Sequence, residues 1–377
     1  MGTGNRFEAL AAPGVRSLAP YVPGKPPATL ERELGIKGSI KLASNENPLG
    51  PGPRAQAALA AAIHNVGHYP DGSGHGLRAR LAHRLGVGIE QVTLGNGSND
   101  ILVLLAEAFL VPGVEAVHSQ YAFAVYPGAV QASGATARVA PAWPAHHAQP
   151  LGHDPAALAA AVGPRTRLMF IANPNNPTGT WLDEGQIDAL LRAVPPDVIV
   201  VLDEAYHEYS APLGVPDGMK WLHRHPNLVI TRTFSKAYGL AGLRVGYAIS
   251  HPDVADILNR VRQPFNVSVP GLAAAAAALD DHEHLEATIS LNRAGVERLR
   301  AGLAALGIEA PPSAGNFILA DLRRPAGPVD HALLREGVIV RPLSNYGLLN
   351  HLRISTGTEA QNERVLTAVA LAIREPS

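Results

Sequence analysis

Three runs in this chain, "RLMFIANP" (167–174), "DVIVVLDEAY" (197–206) and "NLVITRTF" (227–234), are apolar or β-branched at consecutive positions rather than at alternate ones. A strand with one wet face alternates, whereas a continuous run needs cover on both faces. A mostly parallel sheet sandwiched between helices supplies that cover. "VTLGNG" (92–97), "AVHSQ" (116–120) and "RVGYAIS" (244–250) extend the set, with the helical runs "GLRARLAHRLG" and "NDILVLLAEAFL" among them. The pattern predicts an α/β domain over residues 46–270. Before it, residues 1–45 are rich in proline and glycine and read as an arm with one short helix. After it, 271–377 holds a long helical stretch, strand-like "NFILADL", "GVIVRPL" and "HLRISTG", and a terminal helix from Ala360. That order predicts a smaller α+β domain packing with the arm. A length of 377 residues suits two such units.

Composition narrows the function. Hydrophobic residues at 46% against 17% charged exclude an extended disordered chain. A formal net charge of -1 leaves no electrostatic footprint for nucleic acid or an anionic membrane. No cysteine is present, so disulfides and thiolate metal sites are excluded. The 16 histidines lack the spacing of a two-histidine helix site, and no metal is expected. "ILVLLA" and "GLAAAAAAL" are too short to span a bilayer, and the opening residues do not resemble a secretory signal. A cytoplasmic protein is the expectation.

The chemistry centres on "TRTFSKAYGLAGLRVGY" (231–247). Lys236 sits in a hydroxyl- and glycine-bearing turn after a strand, where α/β enzymes place reactive groups. A lysine that forms an imine with an aldehyde cofactor must be desolvated enough to spend time as a free amine. Thr233, Ser235 and Arg244 are the residue types that hold a phosphate. "LGNGSND" (94–100) sets a glycine turn before a helix, with backbone amides available to an anion. "NPNNPTG" (173–179) rigidifies a loop that can aim Asn176 inward. Asp203, at the end of an apolar strand, reads either as a structural carboxylate or as the partner of a protonated pyridine nitrogen, with Tyr206 on the same side.

Taken together, "LAPY", "LASNENPLGP", "YPDGSG", "NPNNPTG", "DEAYHEYS", "TFSKAYGLAGLRVGY" and "LRISTGT" resemble the fold-type I, pyridoxal-5'-phosphate-dependent aminotransferases, closest to the histidinol-phosphate aminotransferases. The resemblance runs from Tyr21 to about Gly357. It implies that Lys236 is the lysine bound to pyridoxal 5'-phosphate, Asp203 the partner of its ring nitrogen, and Tyr206 and Asn176 donors to its ring oxygen. Tyr121 would stack on the ring, while Gly97, Ser98, Asn99, Thr233, Ser235 and Arg244 would hold the phosphate. Tyr69 would reach the cofactor of a partner subunit, so that a homodimer shares its sites. Tyr21, Asn45, Arg341 and Arg353 would bind the anionic end of a small-molecule amino donor or 2-oxo acid acceptor. The implied reaction passes an amino group between L-histidinol phosphate and 2-oxoglutarate in histidine biosynthesis. "SQYAFAVYPGAVQASGA" and "VRQPFNVSVP" belong to one branch of that family, whose members accept aromatic amino acids. An aromatic-amino-acid aminotransferase and a decarboxylase of phosphorylated amino acids are therefore the alternatives. A cofactor-binding half of a transcription regulator would need a helix-turn-helix segment that the proline-rich arm does not offer.

Overall fold

The computed structural model describes residues 6–374; residues 1–5 of the expected arm and 375–377 of the expected small domain lie outside the described residues. The arm ends in a short strand, β1 (Ile40–Lys41). Seven strands follow: β2 (Val92–Gly95), β3 (Glu115–Ser119), β4 (Thr136–Ala140), β5 (Thr166–Ala172), β6 (Ile199–Asp203), β7 (Leu228–Thr233) and β8 (Gly246–Ile249). They form one sheet in the order β2-β8-β7-β6-β5-β3-β4. Pairing is parallel from β4 through β7, and β8 alone runs antiparallel to its neighbours β7 and β2. The three continuous runs are the three central strands, β5, β6 and β7, covered by separate apolar clusters on the two sheet faces. Val200 and Leu202 of β6 face one cluster and Val201 the other, all three almost fully buried. Each such side chain contributes roughly 1.5–3 kcal/mol by leaving water, which fixes the register of the strand that ends at Asp203.

β9 (Phe317–Asp321), β10 (Val338–Ile339), β11 (Arg341–Leu343) and β12 (Leu348–Ser355) build the remainder. β11, β12 and β9 form an antiparallel sheet in that order, while β10 pairs in parallel with β1. Leu42 of the arm joins the apolar core of this second unit. The alanine-rich Val269–Ala278 helix lies with the large sheet: Ala274, Ala275 and Ala278 belong to the large core and the helix packs on Pro53–Ala62. Small side chains permit that close helix approach. The division expected at 270 thus falls within a helix of the large core, and the second core draws on Leu299 and residues beyond it, besides Leu42.

Candidate active site

Because Asp203 closes β6, its position is dictated by the two flanking strands, with Ala172 and Thr231 as its register partners. Its carboxylate accepts a hydrogen bond from Thr231 Oγ1 at 3.0 Å and another from the Tyr126 hydroxyl at 2.8 Å. Burial raises the pKa of Asp203, and these two donors oppose that rise without cancelling it. Both partners are neutral, so neither compensates a charge on the carboxylate, which retains acceptor capacity towards the cavity that it lines.

Lys236 lies in the turn that follows β7. Its Nζ donates to the Ser44 carbonyl at 3.1 Å and stands 5.9 Å from the centroid of the Tyr206 ring. Burial, and then the charge of Arg353, lower its pKa to about 8. Tyr206 receives hydrogen bonds from Asn45 Nδ2 at 2.8 Å and Asn176 Nδ2 at 3.3 Å.

The anion end is built around the Ser98–Phe109 helix. Gly97 caps the helix at φ 87° with no side-chain acceptor; Asp100 N–H donates to the Gly97 carbonyl at 3.2 Å, and the Ser98 and Asn99 amides at the helix start are left to a ligand. A Cβ at Gly97 would collide with the Arg244 guanidinium, so only glycine lets that group close over the helix start. Arg244, itself left-handed at φ 55°, donates to Ser235 Oγ at 3.2 Å and to the Asn96 carbonyl at 3.3 Å. Helix amides, a guanidinium and two hydroxyls at one end of the cavity, a carboxylate and a reactive amine elsewhere on its wall: this donor set fits a phosphorylated pyridine aldehyde.

One cavity of about 380 Å³ gathers most of the expected residues: Tyr21, Ser98, Asn99, Asn176, Asp203, Tyr206, Thr233, Ser235, Lys236 and Arg244 all line it. Tyr121 does not. It packs against Leu319, Leu343 and Leu348, and its hydroxyl accepts from Gln120 Nε2 at 3.1 Å. Phe123, two residues further along the same turn, lines the cavity. Asn45, left-handed at φ 54°, is buried behind Tyr206 and acts on the cavity through that phenol. Arg341 lines a larger adjoining cavity of about 1020 Å³, which shares Tyr21 and Val125 with the first, and its guanidinium lies 5.4 Å from the Tyr21 ring centroid. Arg353 is buried beside Asn176, donating to Asn176 Oδ1 and the Ala43 carbonyl, each at 2.6 Å, while its Nε has no partner. Tyr69 is 82% exposed and stacked on Phe265 at 4.8 Å.

Sequence reasoning missed Tyr126, Thr231, Phe123 and the Ser44 carbonyl. Thr231 was legible in principle, as the residue that parallel register sets beside Asp203. One cluster among the described residues, Glu204 and Asp217 with His207, has ligand atoms within 4.8 Å of one another. Arg232 bridges it, reaching Glu204 Oε2 at 2.7 Å and Asp217 Oδ1 at 2.6 Å, so the positive charge there comes from a side chain.

Residues 37–369 match the family described as Aminotransferase class I and II. The chain belongs to that family. The aminotransferase is 57% identical to histidinol-phosphate aminotransferase 2 of Pseudomonas fluorescens, over 97% of each chain. It is 56% identical to histidinol-phosphate aminotransferase 2 of Pseudomonas aeruginosa, over 96% of this chain and 97% of the relative. Its fold matches the crystal structure of histidinol-phosphate aminotransferase from Sinorhizobium meliloti in complex with pyridoxal-5'-phosphate, at a TM-score of 0.88 and 31% identity, over 96% of this chain and 97% of that one. L-threonine-O-3-phosphate decarboxylase from Porphyromonas gingivalis, at a TM-score of 0.77 and 24% identity, over 89% of this chain and 100% of that one, shares the fold.

Proposed function

We propose that this aminotransferase uses pyridoxal 5'-phosphate to move an amino group between L-histidinol phosphate and 2-oxoglutarate. The observation that carries the substrate is the pairing of Arg341 with Arg353 directly across β11 and β12. Like charges opposite one another on adjacent strands are destabilising. A doubly charged phosphate near both guanidiniums and the Tyr21 phenol would turn that cost into binding. A second cavity that adjoins the first at Tyr21 and Val125 fits a substrate whose anionic end lies away from its reacting carbon.

When bound, pyridoxal 5'-phosphate supplies an electron-poor ring that takes up the electrons of the broken Cα–H bond. The chain does the rest. Ser98, Ser235 and Arg244 would anchor the phosphate, and Asp203 would hold a proton on the ring nitrogen. Tyr206 and Asn176 would donate to the ring oxygen, and Tyr121 would stack on the ring and help to keep water away. Lys236 Nζ would take and hold the proton of the substrate's α-carbon.

The test compares amines. Arg341→Ala and Tyr21→Phe are expected to lower kcat/KM for histidinol phosphate by about tenfold or more, since each charge-assisted contact is worth roughly 1.5–3 kcal/mol, and for phenylalanine much less. Arg353→Ala should damage both amines and glutamate. Equal losses for both amines in the first two variants, or a wild-type preference for phenylalanine, would make the aromatic aminotransferase the better reading.

The same reading makes the enzyme a cytoplasmic homodimer with shared sites, built from an arm, a large cofactor-binding unit and a small unit. Among the described residues no helix is long and apolar enough to cross a membrane. Tyr69, stacked on a Phe265 that is itself 43% exposed, offers an apolar surface that a second copy would cover. Mixing Tyr69→Phe chains with Lys236→Ala chains is expected to yield heterodimers in which one site carries neither change, with activity above that of either parent. Unaltered cofactor affinity in Tyr69→Phe alone would rule out the shared site.

A further inference from the structure

Tyr126 lies in the Val125–Ala132 helix with its side chain fully buried and its ring stacked on Phe170 at 4.9 Å. Its hydroxyl points at Asp203 Oδ2, while Thr231, equally buried, points at Oδ1. Each carboxylate oxygen therefore faces a hydroxyl donor. A proton added to Asp203 would sit on a lone pair facing the cavity and leave both hydroxyls donating to a neutral carboxyl, a weaker acceptor than the anion. The two hydroxyl donors therefore favour the ionised form. They also fix the plane of the carboxylate, leaving the remaining lone pairs directed towards the cavity.

From this geometry we infer that Tyr126, with Thr231, is a positioning residue for the reaction: it keeps Asp203 ionised and oriented so that the carboxylate can hold the proton of the cofactor's ring nitrogen. This rests on the reading above only for what Asp203 faces; the state of Asp203 itself can be tested without cofactor. Desolvation pushes the carboxyl upward, and the Tyr126 hydrogen bond is the first of the influences that oppose it. Tyr126 is held by burial, and then by the Asp203 charge, well above the ordinary range of a phenol, so it remains a donor at every working pH.

The experiment uses cofactor-free chain carrying 13C-labelled aspartate, with Asp203→Asn to identify the signal. In Tyr126→Phe, which keeps the ring in its packing, the Asp203 titration midpoint is expected to rise by about one pH unit. Thr231→Val should move it in the same direction, and Thr231→Ser should restore it, so the inference stays testable if one variant folds poorly. In the holoenzyme, Tyr126→Phe should lower kcat by about tenfold with KM within about twofold, and shift the pH profile of kcat. An unchanged Asp203 midpoint in both Tyr126→Phe and Thr231→Val would overturn the inference. So would an unmoved holoenzyme pH profile. If either came with a large loss of turnover in Asp203→Asn, the positioning role would fall while the functional reading stood.

Discussion

Replacing Lys236 with alanine is expected to lower transamination by about 10⁴-fold or more, since a general base alone is worth roughly 10²–10⁴ and the nucleophile is lost with it. The variant should remain folded, because among the described residues its amine's hydrogen bond is to the Ser44 carbonyl alone. It should also still bind cofactor through Ser98, Ser235 and Arg244, but without the pH-dependent visible absorbance of the covalently bound form. Persistence of that absorbance would remove Lys236 from the mechanism. The amine is readied by its surroundings: burial, and then Arg353, bring it to about 8 from an ordinary 10.5. At pH 7 about a tenth of such a group is the free amine, several hundred times the fraction of an unshifted lysine. Capture of an aldehyde by cofactor-free chain should therefore rise with pH and level off above about 8. A midpoint near 10.5 would show that the pocket does not act on the amine. The sign for stability follows: with the folded value below the unfolded one, burying this lysine costs stability below about 8, and the cost declines as pH rises from there towards 10.5.

The parts of this molecule that were legible in its sequence share one property: they are encoded locally. β5, β6 and β7 were readable because burial on both faces imposes a continuous apolar run on each. β4 was not, since it is an edge strand with four of its five residues exposed, and nothing forces "TARVA" into a pattern. The convergence of glycine, hydroxyls and arginine at one end of the cavity was readable because they sit in two short stretches that a helix start and a turn bring together. Tyr126 and Thr231 escaped notice because their role is defined by which atom of Asp203 they reach across the fold. The cavity lining at "QYAF" has the same origin: two aromatic residues stand two positions apart, and only the path of the turn sets how each lies relative to the cavity. Arg341 and Arg353 stand in separate stretches of the sequence, "GVIVRPL" and "HLRISTG"; β-pairing sets them opposite one another.

Asp203→Asn is expected to leave cofactor binding nearly intact and to lower kcat by about 10²–10³-fold. Asparagine preserves the size of the side chain and the phosphate anchor is untouched, so occupancy should hold. What disappears is the buried negative charge opposite the protonated ring nitrogen, and removing one member of a buried charge pair costs roughly 3–5 kcal/mol. The amide adds a mismatch of its own. Both Tyr126 and Thr231 donate to Asp203, and an asparagine offers one acceptor oxygen where two donors wait. Turnover near the wild-type rate would make Asp203 a structural carboxylate. A second readout separates charge from shape. Burial raises the pKa of Asp203 in the folded chain, so folding is favoured while the group is protonated, and that advantage is lost as pH rises through the raised value. Cofactor-free wild type should accordingly lose stability over that interval, from the ordinary 3.8 upwards, and the asparagine variant should show a flatter Tm profile across the same range. Identical profiles would mean that Asp203 carries no net cost of burial, leaving its two hydroxyl donors sufficient by themselves to hold the anion.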